Sequence, residues 1–290
     1  MQQIKTYLNL IKFSHTVFAL PFALVSVLLA LRSIPTEALV APIWQLIGWI
    51  ILAMVGARSG AMGFNRLIDR KWDAANPRTA NRPSVTGEIS PTQMSVMIII
   101  SFVLLIFAAW KLNPLAFKLS PVAIFIVCFY SYCKRFTSLA HLFLGFAIGS
   151  APIAAWIAIR GEISLSSLLL GASVLTWIAG FDILYALQDY EFDRKADLNS
   201  IPVRFGISNS LLIARLLHLC TVILWFLLAW QAQLNWIFYT GVSICTAFLF
   251  WEHRLVNKDD LSKINIAFMN MNSLISVTLF FAAMLDIMLL

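Results

Sequence analysis

Charge is scarce in these 290 residues: 12% are Asp, Glu, Lys or Arg, about half of what an ordinary soluble domain carries. The scarcity excludes a soluble globular chain. The formal balance of +7 follows the ends of the apolar runs, which reads as membrane sidedness, so nucleic acid is not expected as a partner. Cysteine is sparse too: Cys128, Cys133, Cys220 and Cys245 lie in or beside apolar runs without CxxC spacing. They read as space-filling thiols, not as metal ligands or disulfides. His15, His141, His218 and His253 show no metal spacing and read as polar residues at a membrane edge. The strict alternation of a membrane-spanning β-barrel is missing. No cleavable leader is evident, because Lys5 and Lys12 precede an apolar run long enough to span. Neither a low-complexity segment nor an added soluble domain is visible, so a single domain over 1–290 is expected.

What the chain has in abundance is long apolar runs: 60% of residues are hydrophobic and mean hydropathy is +0.84. A crossing helix needs about 20 such residues. Nine runs qualify: 14–32, 42–65, 92–110, 114–133, 139–159, 165–188, 209–230, 234–252 and 264–288. The fold class is therefore all-α, a polytopic protein of the lipid bilayer with nine transmembrane helices. Short breaks at Arg32–Pro35, Lys111–Pro114, Arg160–Glu162 and Gln231–Asn235 fall on one side and carry few basic residues. The other side receives Lys5, Lys12, Arg66, Arg70, Lys71, Arg78, Arg82, Lys134, Arg135, Arg194, Lys195, Arg204, Arg254, Lys258 and Lys263. By the positive-inside rule that side, with the amino terminus, is cytoplasmic and the carboxyl terminus is outside.

The stretch around which the rest is organised reads Asn65-Arg-Leu-Ile-Asp69-Arg-Lys-Trp-Asp73. It follows the second apolar run, so run and acids are expected to share one helix. Steps of four advance about 40° around an α-helix, which stacks Asn65, Asp69 and Asp73 on one face. Two carboxylates and an amide form an all-oxygen site of the kind that suits Mg²⁺. Asp189-Tyr-Glu-Phe-Asp193 repeats the pattern at the end of another apolar run. Four crossings separate the copies, so both are expected to face the cytoplasm and to share a ligand. The echo suggests duplicated halves but is too short to establish them.

Four such carboxylates repel one another unless cations intervene. Arg70, Lys71, Arg78, Arg82, Lys134, Arg135, Arg194, Lys195 and Arg204 surround them in sequence. Paired acids for Mg²⁺ with surplus guanidinium and ammonium groups beside them are what a diphosphate needs. For any single basic residue, plain helix-end charge explains its presence as well as a direct role does.

The motif Asn65-x-x-x-Asp69-x-x-x-Asp73, the segment Asn-Pro-Arg78-Thr-Ala-Asn-Arg82-Pro, and Tyr185-Ala-Leu-Gln-Asp189-x-x-x-Asp193 together resemble the signatures of the UbiA family of intramembrane aromatic prenyltransferases. Tyr130-Ser-Tyr-Cys-Lys134-Arg135-Phe-Thr with Leu144-Gly145-Phe-Ala-Ile-Gly149 is similar to its 4-hydroxybenzoate polyprenyltransferase branch. The resemblance covers nearly the whole chain. It implies nine helices around a central cavity with a cytoplasmic cap, and transfer of a polyprenyl group from polyprenyl diphosphate to an aromatic ring with Mg²⁺. In one departure, Asp197 stands where relatives often carry Gly; loop capping is its expected role.

The same chemistry has a physical rationale. Mg²⁺ on Asp69, Asp73, Asp189 and Asp193 stabilises a diphosphate leaving group, and a solvent-excluding chamber protects the allylic cation. Each buried CH₂ of a prenyl chain contributes about 0.8 kcal/mol, so such a substrate belongs in a membrane. Arg58 lies inside the second run, about 10 Å deeper than Asn65 on nearly the same face. An Arg at that depth is costly and usually functional; it is assigned the carboxylate of a small aromatic acid, with Asn65 bonding the acceptor, the alternative being a pair with a buried carboxylate such as Asp182. The resemblance assigns Tyr130 and Tyr185 to the cation or the diphosphate. Phe64, Trp72, Trp156 and Trp177 are read as packing, and Asp182 stands in mid-membrane without an assigned role. The rival class is a transporter with intramembrane Asp and Arg. Within the same chemistry, a naphthoate, haem, a chlorophyllide or a glyceryl lipid are alternative acceptors.

Overall fold

Apolar runs closed by Pro, Asn and Gly become helices because every backbone polar group must be satisfied locally where water is excluded. The computed structural model describes residues 6–7, 10, 16–35, 39, 41–256, 261 and 263–289. Its main helices are α1 Thr16–Arg32, α2 Ile43–Ile68, α3 Arg70–Ala75, α4 Pro83–Thr86, α5 Pro91–Leu112, α6 Pro114–Cys133, α7 Ala140–Arg160 and α8 Leu165–Ala186. A 3₁₀ turn, Leu187–Asp189, then leads to α9 Tyr190–Lys195, α10 Ile201–Gln231 and α11 Trp236–Leu255. After a π-helical turn at Ala267–Met271 comes α12 Asn272–Leu289. No strand occurs among the described residues. Lys5, Lys12, His15 and Lys258, used above for orientation and spacing, lie outside them.

Seven described helices are long and apolar enough to cross a membrane: Ile43–Ile68, Pro91–Leu112, Pro114–Cys133, Ala140–Arg160, Leu165–Lys195, Ile201–Gln231 and Met269–Leu289. The protein is an all-helical integral membrane protein. The remaining two predicted runs are helical as well: α1 is a turn shorter than most of the others, with 17 residues, and α11 ends in the polar Glu252-His-Arg.

The chain divides into two compact units, Met1–Thr16 with Ala41–Cys133, and Val17–Val40 with Lys134–Leu290. In the first unit α2 packs along α5 and α6. Glycines on α2 make the approach close: a Cβ on Gly56 would sit 2.6 Å from the Ser101 carbonyl oxygen of α5. In the second unit α8 is central, flanked by α7 and α10. There a Cβ on Gly149 would lie 2.5 Å from the Gly171 carbonyl oxygen. Small residues let two helices meet where no hydrophobic force drives them together. Aromatic packing fills the rest: Phe22 lies 4.9 Å from Trp177, which meets Phe181 at 5.2 Å. Trp156 and Trp177 are buried, as their reading as packing residues requires.

Buried polar bonds fix the helix ends. Asp286 of α12 accepts from the backbone N–H groups of Asn235 (2.8 Å) and Phe238 (3.0 Å), capping α11. His141, in the first turn of α7, and His218 are buried, each with a polar partner inside the helices. His218 Nδ1 meets His253 Nε2 at 2.9 Å, and its Nε2 faces the Trp177 carbonyl at 3.2 Å.

Candidate active site

Each acidic motif grows from the end of a long helix, but not as one unbroken helix. α2 stops at Ile68, Asp69 takes φ −90° and ψ 3°, and α3 resumes at Arg70. The backbone bonds persist through the bend: Asp69 N–H donates to the Asn65 carbonyl (2.9 Å) and Asp73 N–H to the Asp69 carbonyl (2.8 Å). The three residues therefore still stack at intervals of one turn. At the second motif Asp189 adopts φ −100° and ψ 5° before α9. The same residue type makes the same bend at both places. Both angle pairs lie in the sparsely used bridge region where many active-site residues sit.

In the first unit, Asn65 Nδ2 donates to Asp69 Oδ2 at 2.8 Å and lies 3.5 Å from Ser131 Oγ of α6. Arg66 Nη1 donates to Asn65 Oδ1 at 3.3 Å. Asp73 is buried and takes Arg82 Nη1 on Oδ1 at 2.5 Å. Its Oδ2 is buried without a hydrogen bond, with Arg66 Nη1 3.9 Å away. The loop that delivers Arg82 is stapled to the motif: Thr79 Oγ1 donates to the Asp73 carbonyl (2.9 Å), and Arg82 N–H to the Thr79 carbonyl (3.0 Å). Arg58 of α2 lies within electrostatic reach of Tyr130 of α6. Asp69, Asp73, Arg82 and Tyr130 all lie within electrostatic reach of Arg66. Lys71 and Arg78 are exposed, and Arg70 Nε holds the Ser84 carbonyl at 2.8 Å.

In the second unit Asp189 and Asp193 are buried. Lys134 Nζ pairs with Asp193 Oδ2 at 3.4 Å. Burial pulls the Lys134 ammonium down, but Asp193, Asp182 and Asp189 outweigh it, and its pKa ends above the ordinary lysine value. The Lys134 carbonyl accepts from Asn199 N–H at 2.7 Å, tying the segment after α9 to the loop that precedes α7. Tyr185 is half-buried on α8, one turn before Asp189, and Arg135 is half-buried beside Lys134. Arg194 and Lys195 are exposed; Arg194 bonds Glu191 at 3.2 Å and covers the Tyr190 ring.

Two residues absent from the predicted site stand in it. Arg66 is buried against Asp73 and Asn65; its position inside the Asn65–Asp73 motif was the available signal. Asp182 has a partner the linear sequence could not show: His141 Nδ1, at 2.7 Å, reaches across from α7.

Among the described residues, no three of His, Cys, Asp and Glu gather as a ready-made metal cage. Mg²⁺ does not call for one, since it is usually held by one or two carboxylates plus substrate phosphates and water. An oxygen-only donor set with a buried, unbonded Asp73 Oδ2 fits that mode.

The model of the UbiA prenyltransferase family matches residues 19–274. A 4-hydroxybenzoate octaprenyltransferase of Photobacterium profundum is 27% identical over 242 residues, 82% of either chain. The apo structure of a UbiA homolog from Aeropyrum pernix K1 superposes with a TM-score of 0.83 at 29% identity, covering 94% of this chain and 98% of that one. A UbiA homolog from Archaeoglobus fulgidus, bound to DMAPP and Mg²⁺, has a TM-score of 0.74 at 22% identity over 98% of this chain and 100% of that one.

Proposed function

The chain belongs to the UbiA prenyltransferase family, and from that premise we propose that it moves a polyprenyl group from polyprenyl diphosphate onto a ring carbon of 4-hydroxybenzoate. The enzyme is an aromatic prenyltransferase, and ubiquinone synthesis is the route this acceptor serves. The single observation that carries the reading is the repeated bend at Asp69 and Asp189. Each bend closes a long apolar helix and is followed, one turn on, by a buried carboxylate paired with a basic side chain. A plain helix end needs neither the bend nor the buried acid.

Asp69, Asp73, Asp189 and Asp193 are the residues that would hold Mg²⁺, which supplies Lewis-acid stabilisation to a departing diphosphate. Asn65 orients the Asp69 carboxylate through its amide. Arg66 and Arg82 neutralise Asp73 before substrate arrives and can turn to phosphate oxygens afterwards, a role guanidinium suits by its forked geometry. Lys134 does the same for Asp193 and retains its charge at neutral pH. Arg58, Asn65 and Tyr130 belong to the acceptor and cation side of the reading. The name of the Photobacterium relative favours 4-hydroxybenzoate as the acid.

The proposed topology is nine crossings in the bacterial inner membrane, with the amino terminus and the acidic cap cytoplasmic and the carboxyl terminus outside. Exposed Trp44, Trp110, Trp230 and Trp236 at one set of helix ends, and Trp251 at the opposite end of α11, lie where tryptophans of the two membrane interfaces collect.

The test is direct. Purified protein in lipid, given an allylic diphosphate and 4-hydroxybenzoate with Mg²⁺, should release diphosphate and form the prenylated acid in equal amounts. Chelation should stop both, and Asp69→Asn or Asp193→Asn should stop both in a protein that still folds. No product with 4-hydroxybenzoate but product with a naphthoate would move the acceptor; no diphosphate with any aromatic acid would end the reading.

A further inference from the structure

Prenylation of a ring carbon leaves a proton that some group must remove, and none of the residues placed so far does so. Asp182 is the carboxylate left over. It sits in the membrane-spanning part of α8, seven residues before Asp189, about 10 Å deeper on the same helical face. An ionisable group at such depth is costly and usually functional. Here the cost is offset at one oxygen, where Oδ2 meets Nδ1 of His141 at 2.7 Å. The His141 side chain is completely buried, whereas the Asp182 side chain is 23% accessible.

His141 Nε2 is buried and makes no hydrogen bond. A carboxylate oxygen only accepts, so in this bond Nδ1 of His141 is the donor to Asp182. That bond holds one carboxylate oxygen and leaves the other as an acceptor. Lys134, Asp189 and Asp193 are the charged groups that share this field.

Resting on the prenyl-transfer reading, we propose that Asp182 is the base that takes the ring proton and that His141 is its positioning residue. The allylic C–O bond breaks, and its electron pair leaves with diphosphate. A C–C bond forms from the ring to the allylic carbon. The ring C–H bond then breaks, its electrons restoring the aromatic system, and the proton goes to the Asp182 oxygen that His141 does not hold. Water takes that proton as product leaves.

The experiment uses the full-length protein in lipid with 4-hydroxybenzoate, either protiated or deuterated at the ring positions next to the hydroxyl. Diphosphate release and prenylated acid are measured separately. Wild type should form product with a rate indifferent to deuterium; failure to form product removes the parent reading and this one together. Asp182→Asn should lower product formation by about 10²–10⁴-fold, the usual contribution of a general base. Diphosphate release by hydrolysis should continue, and a deuterium isotope effect should emerge. His141→Ala should lower kcat without moving either KM, and His141→Asn, which keeps a donor near the Nδ1 position, should recover much of the loss. If Asp182→Asn does not fold, the His141 pair decides by the same kcat-against-KM split. Unchanged turnover in Asp182→Asn, or product and diphosphate falling together without an isotope effect, overturns the assignment and leaves the departing diphosphate as the base.

Discussion

Arg82 holds Oδ1 of Asp73 at 2.5 Å, the same carboxylate whose other oxygen is buried and unbonded. A residue assigned to diphosphate thus rests on a residue assigned to metal. Binding a metal–diphosphate complex exchanges one partner for another and leaves neither charge bare. Arg82→Ala removes the resting partner and a phosphate donor at once. It should lower kcat/KM for the prenyl diphosphate about 10–100-fold, in keeping with a charge-assisted bond worth about 1.5–3 kcal/mol. The acceptor KM should stay put. Steady-state kinetics against each substrate in turn checks this, and Arg82→Lys should recover only part because a point charge cannot replace the fork.

Lys134 and Asp193 form the corresponding pair in the second unit, with Asp193 nearly inaccessible and Lys134 partly open to solvent. Lys134→Met strands a buried carboxylate, at a cost of about 1–3 kcal/mol once the lysine's exposure is allowed for. The double variant Lys134→Met with Asp193→Asn should be more stable than Lys134→Met alone, although both lack activity. Thermal melting in detergent reads the difference. The raised Lys134 pKa carries a sign as well. Its stabilising contribution is fully present below the ordinary lysine value of about 10.4 and is lost as pH rises through the higher folded value. An alkaline activity loss near about pH 8 or 9 would therefore come from another group and should not follow this lysine.

Arg58 is set two turns deeper than Asn65 and near Tyr130. As the receiver of the acceptor carboxylate, its replacement by Ala should raise the acceptor KM about 10²-fold, the order of a charge-assisted pair in a dry site. The prenyl diphosphate KM should move little. An acceptor lacking its carboxylate should then discriminate poorly between wild type and Arg58→Ala. Equal KM changes for both substrates would assign Arg58 to the fold instead.

Helices and the two acidic motifs were legible because their signals are local: apolar length sets a crossing, and i,i+4 spacing sets a face. The bends at Asp69 and Asp189 were not, since a single residue entering the bridge region leaves periodicity intact while redirecting the chain. Nor could spacing tell exposed basic residues from engaged ones. Arg82 is nine residues beyond Asp73, yet it is drawn onto that carboxylate because Thr79 folds the loop back. His141 and Asp182 are 41 residues apart and meet only because α7 and α8 are in close contact through Gly145, Gly149 and Gly171. Glycines mark such an approach, but a sequence does not say which side chains it brings face to face.

Asp197 closes the second motif in a left-handed conformation, φ +53°, exposed and just past the end of α9. That conformation is free to Gly, tolerated by Asp and Asn, and costly, by about 1–2 kcal/mol, to other residues. The turn is fixed by Leu198 N–H on the Asp193 carbonyl (2.9 Å), so it cannot relax without disturbing a proposed ligand. A metal role for Asp197 requires its carboxylate; a turn role requires only its backbone. Asp197→Gly should accordingly leave kcat within about twofold and raise or leave unchanged the melting temperature. Asp197→Val should lower stability by about 1–2 kcal/mol through backbone strain. Loss of Mg²⁺-dependent turnover in the Gly variant, with the fold intact, would return Asp197 to the metal-binding set.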